Sequence, residues 1–236
     1  MKYSGRARKA AFKLVFLSLL AGIGIWILIT FASAVAAVLT AIASAVAVAA
    51  TPVLLLLWIL YAGFTFYFFR DPTARVPSGS GLILSPAHGK VDVIDTRNEP
   101  NFMGGQCQRI SVFLSVFDVH VQNAPVSGKI AHFKYSTGQF LNALKTESSL
   151  HNENVLLGFE ASDPPGQKIG VRLIAGVIAR RIVCFISQGE EVARGQRISL
   201  IQYGSRADVY LPLNAKIKVQ LGDHVVGGET VLAVMG

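Results

Sequence analysis

Two patterns of hydrophobic residues divide the chain. Positions 14–69 carry no charged side chain, whereas from Asp71 onward short apolar runs alternate with polar stretches rich in glycine and proline. One helix across the neutral run would be roughly 80 Å long, against a hydrocarbon core of about 30 Å. The run therefore crosses a membrane twice or re-enters it, and we favour a transmembrane helical hairpin.

Positive charges flank the neutral run on both sides. Residues 1–13 hold five basic side chains and no acid, and Arg70 and Arg75 follow the run. Because cytoplasmic segments are enriched in lysine and arginine, we expect both flanks in the cytoplasm. A cleaved signal peptide is excluded, since its apolar core spans only about 7–15 residues.

Small residues recur in the middle of the run. Ala37, Ala41, Ala45 and Ala49 stand four positions apart, which is typical of helices that pack closely in lipid. We expect Pro52 to break or kink the helix that contains it.

Residues 71–236 have the pattern of a β-rich α+β domain. Short apolar runs predict ten strands, and only Gln139–Lys145 has a helical pattern. The predicted strands are Leu82–Ser85, Lys90–Asp95, Arg109–Val116, Lys129–Tyr135, Val155–Glu160, Ile169–Ala175, Ile182–Ile186, Ile198–Gln202, Asp208–Leu211 and Lys216–Gln220.

An eight-residue pattern occurs twice near the C-terminus. Gly189–Gln196 and Gly222–Glu229 share the order Gly-acid-x-Val-x-x-Gly, and each precedes an apolar strand. Two such turns in quasi-symmetric halves resemble the flattened barrel of biotinyl and lipoyl carriers. Gly204-Ser205 stands where a carrier would have its lysine, which predicts Ser205 on a turn.

The Gly204-Ser205 pair also permits a specific reaction. Glycine places no side chain in the path of the next hydroxyl and tolerates strained backbone angles, so Ser205 Oγ can attack the preceding carbonyl in an N→O shift. If β-elimination breaks the resulting ester, Ser205 becomes dehydroalanine and then a pyruvoyl group. Taken alone, Gly-Ser is an ordinary turn dipeptide.

Charge and cysteine content exclude other classes of function. Five of the 22 basic residues and none of the 14 acidic ones precede the neutral run, which leaves an excess of three positive charges elsewhere. No basic stripe with interleaved aromatic residues occurs there, so nucleic-acid binding is not expected. Cys107 and Cys184 lie in apolar runs without metal-ligand spacing, which predicts buried free thiols and no metal site.

Eight motifs follow one another along the chain. They are Tyr67-Phe68-Phe69-Arg70-Asp71-Pro72, Ser85-Pro86-Ala87-His88-Gly89-Lys90-Val91, Val119-His120-Val121, Ala124-Pro125-Val126-Ser127-Gly128, Ile174-Ala175-Gly176, Ala179-Arg180-Arg181-Ile182-Val183-Cys184, Tyr203–Pro212 and Gly228-Glu229-Thr230-Val231. In this order they resemble the short bacterial form of phosphatidylserine decarboxylase, a pyruvoyl-dependent membrane enzyme that makes phosphatidylethanolamine.

The resemblance implies a proenzyme that cleaves itself between Gly204 and Ser205. The products are a β chain, residues 1–204, and an α chain, residues 205–236. Ser205 becomes the covalent pyruvoyl cofactor, which forms a Schiff base with the substrate amine and draws electrons as CO₂ leaves. The resemblance also implies a phospholipid substrate at the inner membrane and a catalytic domain, residues 71–236, facing the cytoplasm, with a homodimer left open.

Four residues are candidates to act with Ser205. His120, in its Val-His-Val context, is the expected base for self-cleavage, because imidazole exchanges protons near neutral pH. Asp118 either orients His120 or faces solvent, since strand alternation would put both on one face. Arg180 and Arg181 either bind the substrate phosphate or form a solvated strand end.

One residue departs from the family pattern at a sensitive position. The pattern Ser-Pro-Ala-Asp-Gly has His88 in place of its acid, which in the resembling enzymes works with the histidine during cleavage. Either His88 is itself the base or a partner of His120, or Asp92 or Asp118 substitutes, or cleavage is slow or absent.

Two functions of different classes therefore stay open. Gly204-Ser205 favours decarboxylation of phosphatidylserine, or of a related serine phospholipid. His88 keeps open a non-catalytic, membrane-anchored β-barrel module, which is either a degenerate relative of the family or a lipoyl-like adaptor. A second departure, at Ser149–Asn154, concerns a loop that is usually more acidic in the family, and we interpret His132 and His224 as surface residues.

Overall fold

The computed structural model describes residues 5–35, 40–138, 152–176, 181–202 and 205–235. Two compact units divide the chain, Gly5–Arg70 and Asp71–Gly236. The predicted helix Gln139–Lys145 and residues 149–151 of the 149–154 loop lie outside the described residues.

Two helices and fourteen strands form the described structure. In chain order they are α1 Arg6–Val35, α2 Thr40–Phe68, β1 Leu82–Leu84, β2 Gly89–Glu99, β3 Gly105–Leu114, β4 Val121–Asn123, β5 Gly128–Ser136, β6 Asn154–Ser162, β7 Pro165–Ala175, β8 Ile182–Cys184, β9 Glu191–Val192, β10 Arg197–Ile201, β11 Ser205–Leu211, β12 Lys216–Ile217, β13 His224–Val225 and β14 Val231–Val234.

The first unit consists of the two apolar helices. Trp58 Nε1 donates a hydrogen bond of 2.9 Å to Ser18 Oγ, and the rings of Phe12 and Phe66 meet edge to face with centroids 5.2 Å apart. Because early residues of α1 contact late residues of α2, the helices run antiparallel. Both are long and apolar enough, by length and composition, to cross a membrane.

The helix α2 continues through Pro52, so the expected break does not occur. Helices in lipid tolerate proline where neighbouring groups satisfy the freed backbone. Thr51 Oγ1 donates to Ala47 O at 2.8 Å in this turn. Of the small-residue face, Ala37 lies outside the described residues.

The second unit is built from three antiparallel sheets. An eight-stranded sheet has the order β13-β2-β3-β11-β7-β6-β5-β9, and two three-stranded sheets have the orders β1-β14-β12 and β4-β10-β8. All ten predicted strands overlap observed ones. The mainly β character of this unit agrees with the alternating pattern of the sequence.

The strand order reveals an internal duplication. One half comprises β1–β3 and β11–β14, and the other comprises β4–β10. Each half contributes four neighbouring strands to the large sheet and one complete small sheet, and the halves join where β11 pairs with β7. The two Gly-acid-x-Val segments contain the edge strands β9 and β13. The sequence repeat therefore occurs at equivalent positions in the two halves.

Two glycines occupy equivalent positions at the start of β2 and β5. Gly89 has φ 146° and Gly128 has φ 153°. A Cβ on Gly89 would collide with the carbonyl oxygen of Phe113, and one on Gly128 would collide with that of Glu160. Each glycine therefore permits a close approach of neighbouring strands.

The segment before β1 is fixed to the sheets by a buried ion pair. Arg197 Nε donates to the Asp71 carboxylate at 2.5 Å, and both side chains are almost fully buried. The guanidinium also donates to Pro72 O at 3.3 Å. Asp71 and Pro72 thus have a structural role in this unit.

Candidate active site around Ser205

Ser205 lies in the middle of the large sheet. It is the first residue of β11 and pairs with Leu114 of β3 and Ala175 of β7. The prediction of a turn was therefore wrong for Ser205 itself, because strand pairing on both sides begins at this residue. Tyr203 and Gly204 lie outside the described residues.

The Ser205 side chain is fully buried and lacks a hydrogen bond. Its Oγ has no partner among the described residues. Strand alternation puts Ser205 on the same face as Ala207 and Val209, which belong to the apolar core. An unsatisfied buried hydroxyl costs about 1–3 kcal/mol and calls for a functional explanation.

His120 is also fully buried, and its tautomer follows from its contacts. Its Nδ1 lies 2.9 Å from the carbonyl oxygen of Asp118. A carbonyl can only accept, so Nδ1 carries a proton, and in the neutral ring Nε2 then holds the basic lone pair. This is the form required of a general base.

The backbone of His120 is attached to the strand that leads to Ser205. His120 O accepts hydrogen bonds from Ile201 N at 3.1 Å and from Gln122 Nε2 at 2.7 Å. Ser199 Oγ in turn donates to Gln122 Oε1 at 2.8 Å. Because Ile201 ends β10 four residues before Ser205, the fold holds His120 near the chain segment that contains the cleavage site.

Asp118 belongs to a turn and not to a strand. Its Oδ2 accepts from the amide and hydroxyl of Ser115 at 2.8 and 2.7 Å, and its Oδ1 lies 3.0 Å from His224 Nε2. The expectation of a shared strand face with His120 was therefore wrong. Asp118 orients His120 through its backbone carbonyl, while its carboxylate closes the turn.

His88 lies on a segment that runs antiparallel to residues 121–125. Leu84 N donates to Pro125 O at 3.0 Å, and Asn123 N donates to Pro86 O at 2.8 Å. If this antiparallel pairing is continued by two residues, His88 lies opposite Val121. Val121 is the first residue of β4 and directly follows His120. The half-buried ring of His88 packs beside Gly227.

The register of the large sheet also relates His88 to Ser205. Lys90 pairs with Phe113, and Phe113 pairs with Arg206. One residue further, Gly89 and Ser205 lie on opposite sides of Leu114 in β3. Two strand spacings of about 4.8 Å put them roughly 10 Å apart. His88 precedes Gly89 and so stands at the same end of the sheet as Ser205.

Asp92 is engaged by an arginine. Arg206 Nη1 and Nη2 donate to its two carboxylate oxygens at 2.9 and 2.5 Å. A carboxylate held in this bidentate pair is not placed to replace the missing acid beside His120.

A buried polar layer, which was not predicted from the sequence, lies on the face of β11 opposite Ser205. Arg109 bridges Asp95 at 2.7 Å and Asp208 at 3.6 Å, and Ser111 Oγ donates to Asp208 at 2.6 Å. Burial raises the pKa of Asp208 above its usual value, although Ser111 and the nearby arginines act in the opposite direction. The sequence signal for this layer is that polar residues occupy every second position of β11, at Arg206, Asp208 and Tyr210.

The remaining predicted residues lie in different places. Arg181 is exposed, and its carbonyl accepts from Gln202 N at 3.3 Å, so it flanks the segment before Ser205. Arg180 lies outside the described residues. His224 is exposed, as expected, whereas His132 is half-buried against Phe102, with ring centroids 5.9 Å apart.

Both cysteines are free thiols. Cys107 is buried and Cys184 is half-buried in β8. Burial raises the pKa of Cys184 to about 11, so its thiol stays protonated at neutral pH. In the part of the chain that the structure describes, no group of three or more His, Cys, Asp or Glu side chains is arranged to hold a metal ion.

Comparison with known proteins identifies the family. The family model described as phosphatidylserine decarboxylase matches residues 61–233. The chain belongs to this family. The match begins within α2 and includes nearly the whole β-rich unit, so Ser205, His120 and His88 all lie inside the region that is typical of phosphatidylserine decarboxylases.

Several curated relatives carry the name phosphatidylserine decarboxylase proenzyme. The relative from Ruegeria pomeroyi is 45% identical over 195 residues, which cover 78% of this chain and 88% of the relative. The relative from Nitrosomonas europaea is 43% identical over 176 residues, or 75% and 80% of the two chains. The relative from Desulfotalea psychrophila is 40% identical over 180 residues, or 76% and 83%.

Proposed function

We propose that this chain is a membrane-bound phosphatidylserine decarboxylase proenzyme. It cleaves itself between Gly204 and Ser205 and then converts phosphatidylserine into phosphatidylethanolamine. The observation that carries the proposal is the fully buried hydroxyl of Ser205, which has no hydrogen-bond partner among the described residues and stands at the start of the central strand of a member of this family.

Self-cleavage uses the serine hydroxyl as an internal nucleophile. His120 Nε2 accepts the Oγ proton while Oγ attacks the Gly204 carbonyl, and the released amine of residue 205 takes a proton back as the ester forms. Loss of the Ser205 α-proton then expels the Gly204 carboxylate by β-elimination. Hydrolysis of the dehydroalanine releases ammonia, which leaves residues 1–204 and a blocked chain that starts at residue 205.

The cofactor of the mature enzyme is the group made from Ser205. A pyruvoyl group supplies an electron sink for decarboxylation of an amine-bearing substrate. The position fits this group, because Ser205 Oγ is a polar atom in the apolar core that has no partner in the part of the chain that the structure describes, beside the small side chain of Ala175. Buried surroundings exclude water from the reacting atoms.

Arginines are available for the anionic head group. Arg181 is exposed beside Gln202, and Arg180 precedes it in the chain. Guanidinium groups bind phosphate oxygens through paired hydrogen bonds, so we assign both residues to the substrate phosphate. A lysine at either position would retain the charge and lose the bidentate geometry.

His88 takes the place of the family acid in this proposal. It stands at the same end of the sheet as Ser205. Its segment pairs with β4, and His120 is the residue directly before β4. In this place the neutral ring of His88 serves as a further proton acceptor, while the Asp118 carbonyl sets the tautomer of His120.

The architecture proposed for the whole molecule follows the same assignments. Residues 1–70 form a transmembrane helical hairpin at the inner membrane, and residues 71–236 form the catalytic domain on the cytoplasmic side. In this proposal the domain contains a flattened barrel of the lipoyl type, whose quasi-symmetric halves carry the two Gly-acid-x-Val turns. A homodimer is compatible with these assignments.

Replacement of Ser205 tests the proposal directly. The purified wild-type protein should give two chains on a denaturing gel, with the small one blocked to N-terminal sequencing. Ser205→Ala should give one chain of full mass and no decarboxylation, because alanine offers no hydroxyl for the shift. Full activity of Ser205→Ala would refute the pyruvoyl mechanism, and a wild-type chain that never cleaves would favour the non-catalytic module.

A further inference from the structure

Glu153 joins two strands that are far apart in the sequence. It stands directly before β6 and is 6% exposed. Its backbone carbonyl accepts a hydrogen bond from Ala175 N at 2.9 Å, and its side-chain Oε1 accepts one from Ile182 N at 3.2 Å. One residue thus holds the last residue of β7 and the first residue of β8.

These two strands, β7 and β8, pair with the strands that hold the candidate active site. Ala175 pairs with Ser205, and Ile182 pairs with Ile201. Ile201 N donates to His120 O at 3.1 Å. Glu153 therefore lies between the strand that presents Ser205 and the strands that hold His120, and it also spans the two ends of the 176–181 connection.

The spacing of Ile201 and Ser205 matters for the chemistry. The scissile bond lies between them, and the N→O shift requires Ser205 Oγ to approach the preceding carbonyl within about 3–3.5 Å. A misplacement of about 1 Å costs roughly 100-fold in rate. Whatever fixes β8 against β7 also fixes these two residues, because each is paired to one of those strands.

We propose that Glu153 is a positioning residue for self-cleavage, whose carboxylate sets the separation of β7 and β8 and so sets the spacing of Ile201 and Ser205, the paired residues on either side of the scissile bond. The inference rests on the proposed function. The carboxylate acts here as a hydrogen-bond acceptor for a backbone N–H, so a glutamine at this position retains the contact.

A second glutamate provides a matched control. Glu99 is 2% exposed, and its carboxylate accepts from the backbone N–H groups of Phe102 at 2.8 Å and Met103 at 3.0 Å. It ends β2, whereas Gly89 begins that strand and lies level with the row of paired residues Leu114, Ser205 and Ala175, which we call the Ser205 row. Loss of Glu99 removes buried hydrogen bonds of the same kind, remote from the cleavage site.

The first experiment measures self-cleavage of the newly synthesised full-length chain on denaturing gels. Glu153→Ala should slow cleavage by about 30-fold or more, and Glu153→Gln should stay within about threefold of wild type because the acceptor is retained. Glu99→Ala should cleave at the wild-type rate even though it unfolds at a lower temperature. Wild-type cleavage by Glu153→Ala, or equal slowing by Glu99→Ala, would overturn the inference.

The second experiment does not depend on cleavage. In the Ser205→Ala background, Glu153→Ala should accelerate amide exchange in peptides that contain Ala175, Ile182 and residues 201–205, with little change in β3. Glu99→Ala should show the reverse pattern. If the wild-type chain never cleaves, the proposed function fails, but unchanged exchange in Glu153→Ala would by itself reject the positioning role.

Discussion

His88 is the residue at which this chain departs most from its family, and substitution there gives a sharp prediction. His88→Ala should abolish or greatly slow self-cleavage, because no proton acceptor then replaces the family acid. His88→Asp should keep or accelerate cleavage, since it restores the family pattern at the same end of the sheet as Ser205. The measurement is the fraction of cleaved chain against time after synthesis.

His132→Ala is the matched control for this experiment. His132 is also half-buried, but it stacks on Phe102 in another part of the sheet, so its loss should leave the cleavage rate unchanged. Maturation of His88→Ala at the wild-type rate would remove position 88 from the chemistry. If neither wild type nor His88→Asp ever cleaves, the chain is a non-catalytic module.

The sequence could predict individual site residues only where a local motif carried them. Ser205 and His120 stand in short motifs whose chemistry is legible along the chain. The role of the Asp118 carbonyl required the turn at Ser115, and strand alternation suggested the wrong face. Glu153 left no local signal, because its partners Ala175 and Ile182 are 22 and 29 residues away in the sequence.

At the scale of elements, alternation located every strand of five or more residues and missed several of the shorter ones. The strands β4, β9 and β13 contain only two or three residues, which is too short for a period of two to be recognised. The duplication of the fold was visible in part. Besides the Gly-acid-x-Val turns, Pro86–Val91 and Pro125–Ile130 share Pro-x-x-Gly-Lys, and both begin the equivalent strands β2 and β5.

Because of this duplication, two equivalent variants can be compared to distinguish an effect on stability from an effect on self-cleavage. Gly89→Ala and Gly128→Ala each add a Cβ against a carbonyl oxygen of the neighbouring strand at positive φ. Each should therefore lose about 1–3 kcal/mol of stability. Denaturant unfolding in the Ser205→Ala background measures this loss.

The two variants should differ in self-cleavage. Gly89 lies one strand beyond β3 from Ser205, whereas Gly128 lies near the opposite edge of the sheet, so only Gly89→Ala should slow maturation. Equal slowing by both variants would mean that the rate depends on general stability and not on the geometry of the Ser205 row.

At the scale of the whole molecule, composition was the most informative feature. A neutral run from position 14 to position 69 predicted the two apolar helices, because no folded domain of this size can bury so long an apolar segment. The alternating remainder predicted a mainly β unit. The pairing of the two halves through β11 and β7 could not be predicted, since it depends on contacts between residues that are 30 to 40 positions apart in the sequence.

The membrane topology gives a prediction for the full-length chain in cells. With Cys107→Ser and Cys184→Ser as background, cysteines introduced at Ser4 and Ser78 should both resist a membrane-impermeant thiol reagent applied from outside. Basic residues flank the apolar run on both sides and favour the cytoplasm, and two crossings return the chain to the side on which it began. Ala37→Cys, between α1 and α2, should be labelled, and permeabilised cells should label all three positions. Labelling of Ser4→Cys or Ser78→Cys alone would require an odd number of crossings and would place the β-rich unit and the N-terminus on opposite sides of the membrane.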